Sequence, residues 1–272
     1  MRAGRAIEDS IRGFLAVLER ALESEELARR RGLLQGLDPR VKVLGLLVLI
    51  VAAAVSRRID VILAIFGIAL ALALASRVPM RTLAVRVWIG VLVFAGLIVL
   101  PALFLTPGRA IWALPVLGWT VTEQGLRGAA YLISRVETTA TLSMLLVLST
   151  PWMHVLKALR VLRVPAVVIV ILGMTYRYIF LLMAAAREMF ESRRSRLVGE
   201  LDARDRRRLA VATAGVLLSK TLQLSGDVYL AMQSRGFRGE VYVLEEFEMS
   251  AKDWLGLAVF LTLGGAALWM GS

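Results

Sequence analysis

Apolar segments close to the thickness of a bilayer core constrain this sequence more than any other feature. Residues 41–55, 61–75 and 87–105 form three such segments, and residues 254–270 form another near the end of the chain. A helix rises about 1.5 Å per residue, so that about 20 apolar residues cross the roughly 30 Å of hydrocarbon in a bilayer. The 58% share of hydrophobic residues also exceeds the share typical of soluble domains. We therefore expect a helical integral membrane protein.

The charge pattern separates this chain from nucleic-acid-binding proteins of similar basicity. The net charge is +12, yet the Lys and Arg residues alternate with long apolar segments and do not cover a soluble domain. We therefore expect the lipid membrane as a partner, and no nucleic acid. The sequence has no Cys, a single His (His154), and no carboxylate pair in a predicted span. We predict no metal site, no catalytic residue and no cofactor.

The chain is predicted to begin with an N-terminal amphipathic segment in residues 1–40. Apolar residues recur at helical spacing between positions 5 and 31, which predicts a helix that lies on the membrane surface or on the rest of the protein. The first residues lack the apolar core of a signal peptide, which favours a cytoplasmic N-terminus. Residues 41–149 are predicted to form transmembrane helices 1–4, with a tight turn at residues 56–60 between the first two.

The fourth predicted helix, residues 123–149, carries the ionisable residues Arg127, Arg135 and Glu137. Ionisable groups within a span normally face a protein interior. We predict that Arg135 and Glu137 are partners inside the bundle, and the alternative is that they line a translocation path. Residues 106–122 precede this helix and contain two Pro, two Gly and two Trp, which predicts an interfacial loop.

The distribution of Arg predicts the topology of the chain. If the N-terminus is cytoplasmic, the loop at residues 76–86 is inside with three Arg, and the loop at 106–122 is outside with one Arg. Residues 187–208 hold eight Arg against five acidic residues, and they would lie outside if residues 166–186 crossed the membrane. Because Arg177 also interrupts residues 166–186, we predict that this segment stays on the cytoplasmic side. Five spans result, with the C-terminus outside.

Residues 150–250 are predicted to form a cytoplasmic domain of three helices, and residues 251–272 a C-terminal transmembrane helix. The helices are a short one at residues 152–162 and two long ones at residues 166–196 and 203–235. The third is apolar on most of its circumference, so that most of its sides must be covered. Its polar residues fall seven apart on one narrow stripe, namely Thr213, Lys220, Asp227 and Ser234.

The two long helices end alike, in a small residue and an Arg at the last turn. These ends are Ser195-Arg196-Leu197 and Ser234-Arg235-Gly236. One interpretation is ordinary helix capping, in which Arg favours the negative helix end and Gly adopts the left-handed conformation. Another is that each Arg enters an acidic groove on a partner and makes forked hydrogen bonds with a carboxylate. Two such tips suit a partner with two grooves, such as a dimer.

Four segments of the chain carry a resemblance to one family of membrane proteins. They are residues 32–42 (GLLQGLDPRVK), 150–165 (from TPW to LRVLRVP), 176–178 (YRY) and 228–237 (VYLAMQSRGF). The sequence resembles the transmembrane coupling (T) component of energy-coupling factor (ECF) transporters, and more closely the cobalt-type CbiQ branch. The resemblance implies an all-α polytopic membrane protein with about five transmembrane helices and a cytoplasmic coupling module of two long crossed helices plus a short one.

The resemblance also implies site residues. In that family each long coupling helix ends in a small-Arg-small triplet whose Arg sits on an ATPase. Leu197 is larger than the usual third residue of the triplet, so that Ser192-Arg193-Arg194 is an alternative for the first one. Carried over to this sequence, the ATPase-coupling residues are Ser195, Arg196, Leu197, Ser234, Arg235 and Gly236.

The function implied by the resemblance is that of a non-catalytic coupling subunit in an ATP-driven importer of cobalt ion. No G-x-x-x-x-G-K-[ST] motif occurs in the chain, which agrees with ATP hydrolysis by partner subunits. The implied partners are a dimer of CbiO-like ABC ATPases and a CbiM-like substrate-binding membrane subunit, with a small CbiN-like subunit as a further candidate. The implied location is the bacterial inner membrane. The alternatives are the same role in a nickel importer, or a stand-alone secondary transporter or channel that uses Arg127, Arg135 and Glu137.

Overall fold

The structure, a computed structural model of the chain, is helical over most of its described length. Residues 25–28 form one helical turn, and the rest of the predicted amphipathic helix at residues 5–31 lies almost wholly outside the described part. The described residues are 25–28, 30, 32–106, 109–113, 120–161, 163–195, 202–237 and 249–271.

The first two helices form a tight hairpin, as predicted. Helix α1 spans Pro39–Val55 and helix α2 spans Ile59–Ala75. The start of α1 is fixed by Asp38, whose carboxylate accepts a hydrogen bond from the backbone N–H of Arg40 at 2.7 Å. A side-chain oxygen at this position pairs one of the backbone donors that a helix start leaves unbonded, and Pro at the first helical position suits the same geometry.

Helix α3 begins earlier than the sequence predicts. It consists of Met80–Leu83, a π-helical turn at Ala84–Trp88 and an α-helix at Ile89–Leu105. The predicted loop at residues 76–86 is therefore mostly helical, which corrects the prediction. Arg81 and Arg86 lie in the first turns, so that the apolar pattern starts well after the backbone becomes helical.

The predicted interfacial loop contains a small antiparallel hairpin that the sequence interpretation omitted. Strand β1 (Ala110–Ala113) pairs with strand β2 (Thr120–Thr122). Helix α4 then spans Glu123–Ser149, with the bounds that the sequence predicts. The hydroxyl of Thr122 accepts a hydrogen bond from the N–H of Gly125 at 3.1 Å and so caps the start of α4.

Four further helices complete the fold. Helix α5 spans Trp152–Val161, α6 spans Ala166–Arg194, α7 spans Ala203–Ser234 and α8 spans Ala251–Gly271. These bounds agree with the predicted helices to within three residues. The chain is an all-α polytopic membrane protein with one short β-hairpin among the described residues.

Two Arg residues adopt the left-handed conformation two positions after the last residue of a helix. Arg77 follows the end of α2 with a φ of 52°, and Arg163 follows the end of α5 with a φ of 60°. In both cases the next two residues are Val and Pro, which gives Val78-Pro79 and Val164-Pro165. Because the residue before a Pro is disfavoured in the helical region, these two Pro-containing sequences terminate α2 and α5.

The chain divides into two compact units. The bundle unit contains the described residues of 24–158 and 247–272, and the long-helix unit contains those of 159–246. The chain passes from the first to the second within α5. The four domain ranges predicted from the sequence remain predictions.

The core of the bundle unit lies around α1, which packs against α8, α4 and α2. Two glycines allow α1 and α8 to approach closely, since Gly45 faces the ring of Phe260 and Gly264 faces the side chain of Val48. Small residues at such contacts are typical of packed membrane helices. The fully buried apolar side chains of this core include Leu46, Leu49, Ile65, Leu142 and Leu145.

Hydrogen bonds at the helix ends show the relative directions of these helices. The N–H of Arg57, just after α1, donates to the carbonyl of Gly271 at the end of α8 at 2.8 Å, so that α1 and α8 run parallel. The N–H of Leu33, before α1, donates to the carbonyl of Ala75 at the end of α2, so that α2 runs antiparallel to α1. These are the directions that the predicted five-span topology requires.

Five described helical segments are long and apolar enough to cross a membrane. Three of them, in α3, α4 and α8, coincide with predicted spans. Helices α1 and α2 have 17 residues each and are shorter, whereas α6 and α7 both satisfy the length and composition criteria. The cytoplasmic placement of residues 166–186 therefore stays a prediction. The five segments are Met80–Pro101, Glu123–Ser149, Ala166–Met189, Arg207–Ser234 and Ala251–Gly271.

Candidate functional site

The C-terminal end of α7 is closed by a Schellman motif. Gly236 adopts the left-handed conformation with a φ of 76°. Its N–H donates to the carbonyl of Gln233 at 2.9 Å, and the N–H of Phe237 donates to the carbonyl of Met232 at 3.0 Å. These two bonds pair carbonyls that a helix end otherwise leaves without partners.

The cap presents Arg235 at the tip of the helix. Arg235 lies between Ser234, the last helical residue, and the left-handed Gly236, and it is exposed. The cap uses main-chain groups alone, so that Gly236 closes the helix while Arg235 remains exposed. The capping interpretation is therefore compatible with a contact between Arg235 and a partner, which stays a prediction. An exposed guanidinium can make two parallel hydrogen bonds with a carboxylate of a partner.

The end of α6 is described only as far as Ser195. The N–H of Ser195 donates to the carbonyl of Glu191 at 3.1 Å, and its hydroxyl donates to the carbonyl of Ser192 at 2.8 Å. The other two residues of the first predicted triplet, Arg196 and Leu197, lie outside the described residues. The alternative triplet at residues 192–194 lies within the last turn of α6.

Helix α7 is covered on only one face by described residues. The covered positions recur every three or four residues, as one face of a helix requires: Thr213, Leu217, Thr221, Leu224 and Val228. The other faces carry large apolar side chains that are 61–68% exposed, namely Val211, Leu218, Leu222, Tyr229 and Leu230. The predicted polar stripe is divided, because Thr213 is buried whereas Lys220, Asp227 and Ser234 are exposed. A contiguous apolar surface of this kind is typical of contact with lipid or with another protein.

The ionisable residues of α4 do not form the pair predicted from the sequence. Arg135 donates to the carbonyl of Ser56 at 2.7 Å and also contacts the hydroxyl and ring of Tyr131. The predicted Arg135–Glu137 pair is therefore wrong. Residues two apart on a helix point to different sides, so that these two side chains cannot face each other. Arg127, at the start of the helix, pairs with Glu123 at 2.7 Å on an exposed surface.

The sequence interpretation missed a buried polar cluster in the bundle unit. The ammonium of Lys42 donates to the carbonyl of Ser149 at 3.2 Å, and one carboxylate oxygen of Asp253 accepts the N–H of Asp38 at 2.7 Å. The other oxygen of Asp253 accepts the N–H and the hydroxyl of Ser250 at 2.9 Å and 2.7 Å. We call these five residues the Lys42 cluster. The one local signal for it was a Lys at the fourth position of a mostly apolar helix.

In the part of the chain that the structure describes, no three His, Asp or Glu side chains come together in a way that could hold a metal ion. Among the residues predicted from the sequence as site residues, Arg235 is exposed at the capped end of α7.

The chain is similar over most of its length to proteins of one transport family. The sequence profile of the CbiQ family, described as cobalt transport protein, matches residues 31–243. An uncharacterised protein of Methanocaldococcus jannaschii is 33% identical over 254 residues, which cover 92% of this chain and 86% of that protein. The cobalt transport protein CbiQ of Rhodobacter capsulatus is 32% identical over 211 residues, which cover 72% of this chain and 85% of that protein.

Proposed function

This chain belongs to the CbiQ family of cobalt transport proteins, and we propose that it is the coupling subunit of an ECF-type ATP-driven importer. As a family member it is a membrane component of a transport system. In the proposed role it hydrolyses no ATP itself. It transmits the motion of two CbiO-like ATPases to a CbiM-like membrane subunit that carries the substrate, and a CbiN-like subunit is a further partner.

The observation that carries this proposal is the capped tip of α7. A helix of 32 residues extends about 48 Å, which is long enough to carry a displacement over the width of a domain. Its end is closed by the Schellman motif, which pairs the last carbonyls and so stabilises the turn next to Arg235. Arg196 supplies the matching contact at the end of α6, and the two Arg residues suit the two copies of an ATPase dimer.

The exposed apolar faces of α6 and α7 fit the same role. Five or more large apolar side chains on α7 alone need cover, and a membrane subunit that reorients during transport would supply it. In the proposed arrangement, α6 and α7 lie on the cytoplasmic side of a bacterial inner membrane and the N-terminus is cytoplasmic, which the positive-inside distribution of Arg supports.

The proposed cargo is Co²⁺, and Ni²⁺ is the alternative with the same coupling role. A stand-alone transporter that uses the α4 residues is disfavoured. Arg135 is held by a backbone carbonyl and a Tyr hydroxyl, and Arg127 lies in an exposed ion pair at the helix start, so that these side chains do not form a continuous polar path.

The test is charge reversal at the two tips. The chain is coexpressed with the proposed ATPase and substrate-binding subunits and purified, and the copurifying ATPases and the ATP-dependent Co²⁺ uptake in liposomes are measured. Arg196→Glu together with Arg235→Glu is expected to abolish uptake and to release the ATPases while the chain still inserts. Lys220→Glu is the matched control, because Lys220 is exposed in the middle of α7.

Retention of both ATPases and full uptake by the double variant would refute the proposal. Uptake of Co²⁺ by the purified chain alone, without ATP, would instead support the stand-alone transporter.

A further inference from the structure

The Lys42 cluster is a set of charged and polar groups in the otherwise apolar bundle unit. Lys42 is 2% exposed, Asp253 6% and Asp38 8%, and Ser149 is fully buried. The ammonium of Lys42 is attracted by the carboxylates of both Asp38 and Asp253. Burying a charge is costly unless it is paired and hydrogen-bonded, and a well-packed apolar set is often at least as stable. A contribution to the stability of the fold therefore does not by itself explain why charged groups are buried here.

The cluster joins three helix ends that meet at one end of the bundle unit. Asp38 precedes α1, Asp253 lies in the first turn of α8, and Ser149 is the last residue of α4. The last carbonyls of a helix have no partner within it, and Lys42 supplies one for α4. Cations are also favoured at this end by the helix dipole. Lys42 therefore adds a directional bond from α1 to the last turn of α4, beside the apolar packing of Leu145 and Leu148.

The last turn of α4 leads directly into α5, within which the chain passes from the bundle unit to the long-helix unit. Only Thr150, which is extended and 2% exposed, and Pro151 separate α4 from α5. The carbonyl of Pro151 accepts the N–H groups of His154 and Val155, which start α5. The chain then passes into the long-helix unit within α5. The hydrogen bond from Lys42 to the carbonyl of Ser149 thus holds the last residue of α4 just before α5, the helix in which the long-helix unit begins.

We propose that Lys42 is a positioning residue for coupling. It holds the end of α4 in place and so limits local movement at residues 149–151. Motion of the long-helix unit is then transmitted through α5 to the bundle unit. This inference rests on the proposed coupling function. In this role the Lys42 cluster keeps the end of α4 in place while α6 and α7 move.

The experiment measures local opening and coupling in the same variants. The full complex with its ATPases and substrate-binding subunit is reconstituted in liposomes, and Co²⁺ uptake is determined per ATP hydrolysed. Amide hydrogen exchange is followed in residues 146–158 and, for comparison, in residues 61–73 of α2. The variants are Lys42→Met, Lys42→Arg and the matched control Lys252→Met, which removes the same charge from an exposed position in the first turn of α8.

Lys42→Met is expected to accelerate exchange in residues 146–158 by about tenfold while residues 61–73 are unchanged. ATP hydrolysis is expected to continue while uptake per ATP falls by about tenfold. Lys42→Arg is expected to recover most of the loss, and Lys252→Met to resemble the wild type. If Lys42→Met does not fold, Asp253→Asn is measured in the same way, and changes in the same direction are expected, because this variant removes one of the two carboxylates that attract Lys42 and keeps the shape of the side chain.

Unchanged exchange in residues 146–158 would overturn the inference, as would equal acceleration in α2 or an unchanged uptake per ATP. Failure of the wild-type complex to show ATP-dependent uptake would contradict the proposed function instead. In that case hydrogen exchange would still decide whether Lys42 fixes the end of α4.

Discussion

The contact between Gly45 and Phe260 gives the most sharply defined test of the packing in the bundle unit. A β-carbon on Gly45 would lie 2.8 Å from the Cβ of Phe260 and closer still to its ring atoms Cγ and Cδ2. Non-bonded carbon atoms normally lie about 3.5–4.0 Å apart. The ring cannot turn away, because the Cβ is itself one of the close atoms and Phe260 is buried in the core. Gly45→Ala therefore requires α1 and α8 to move apart.

The expected size of the effect follows from two opposing contributions. Overpacking of a well-filled core costs about 1–3 kcal/mol, whereas Ala in place of Gly favours the helix by about 1 kcal/mol. The net result is a loss of about 1 kcal/mol in the free energy of unfolding. At Gly67 in α2, a β-carbon would meet nothing within 4 Å. Gly67→Ala should therefore show the helix gain alone, which makes it the matched control.

The assay is thermal unfolding of the purified chain in one detergent, followed by Trp fluorescence. The midpoint of Gly45→Ala is expected below that of the wild type, and the midpoint of Gly67→Ala at or above it. Equal midpoints for the two variants would refute the packing described for α1 and α8.

Two further predictions concern individual Arg residues. Arg163→Gly is expected to raise the free energy of unfolding by about 1 kcal/mol, because Gly adopts the left-handed conformation at that position without steric cost. The same measurement on Arg160→Gly, inside α5, is expected to show a loss of about 1 kcal/mol. Arg135→Leu is expected to cost about 1–3 kcal/mol, because the bonds to Ser56 and Tyr131 are lost in a partly buried site. Arg127→Leu, its exposed control, should change the midpoint little.

Two results would contradict these predictions for Arg163 and Arg135. A lower midpoint for Arg163→Gly would mean that the Arg side chain contributes more than the backbone conformation costs. A loss for Arg127→Leu as large as that for Arg135→Leu would contradict the different burial of the two side chains.

The sequence predicted the helices whose ends are set by local chemistry. Pro151, Pro165 and the Gly236 cap mark the limits of α5, α6 and α7, since each acts on its own neighbours along the chain. The start of α3 was placed too late because the charged residues Arg81 and Arg86 interrupt the apolar pattern in turns that are already helical. The β-hairpin was missed because its strands are too short to show an alternating pattern.

The candidate site was predictable to the extent that it depends on local sequence. The triplet at the end of α7 is a continuous motif, and the structure adds the cap that presents Arg235. The Lys42 cluster could not be found in this way, because Asp38 and Asp253 are 215 residues apart. The wrong pairing of Arg135 shows the same limit, since its true acceptor is the backbone of Ser56 in a distant turn.

The parallel pairing of α1 with α8 has a consequence for the order of biosynthesis. Gly45 and Lys42 of α1 leave the ribosome long before α8, which carries their partners Phe260 and Asp253. With 215 residues between Asp38 and Asp253 and a synthesis rate of about 5–20 residues per second, the delay is about 10–40 seconds. During that interval α1 lacks α8 as a neighbour, and the bundle can close around α1 only after α8 has been synthesised.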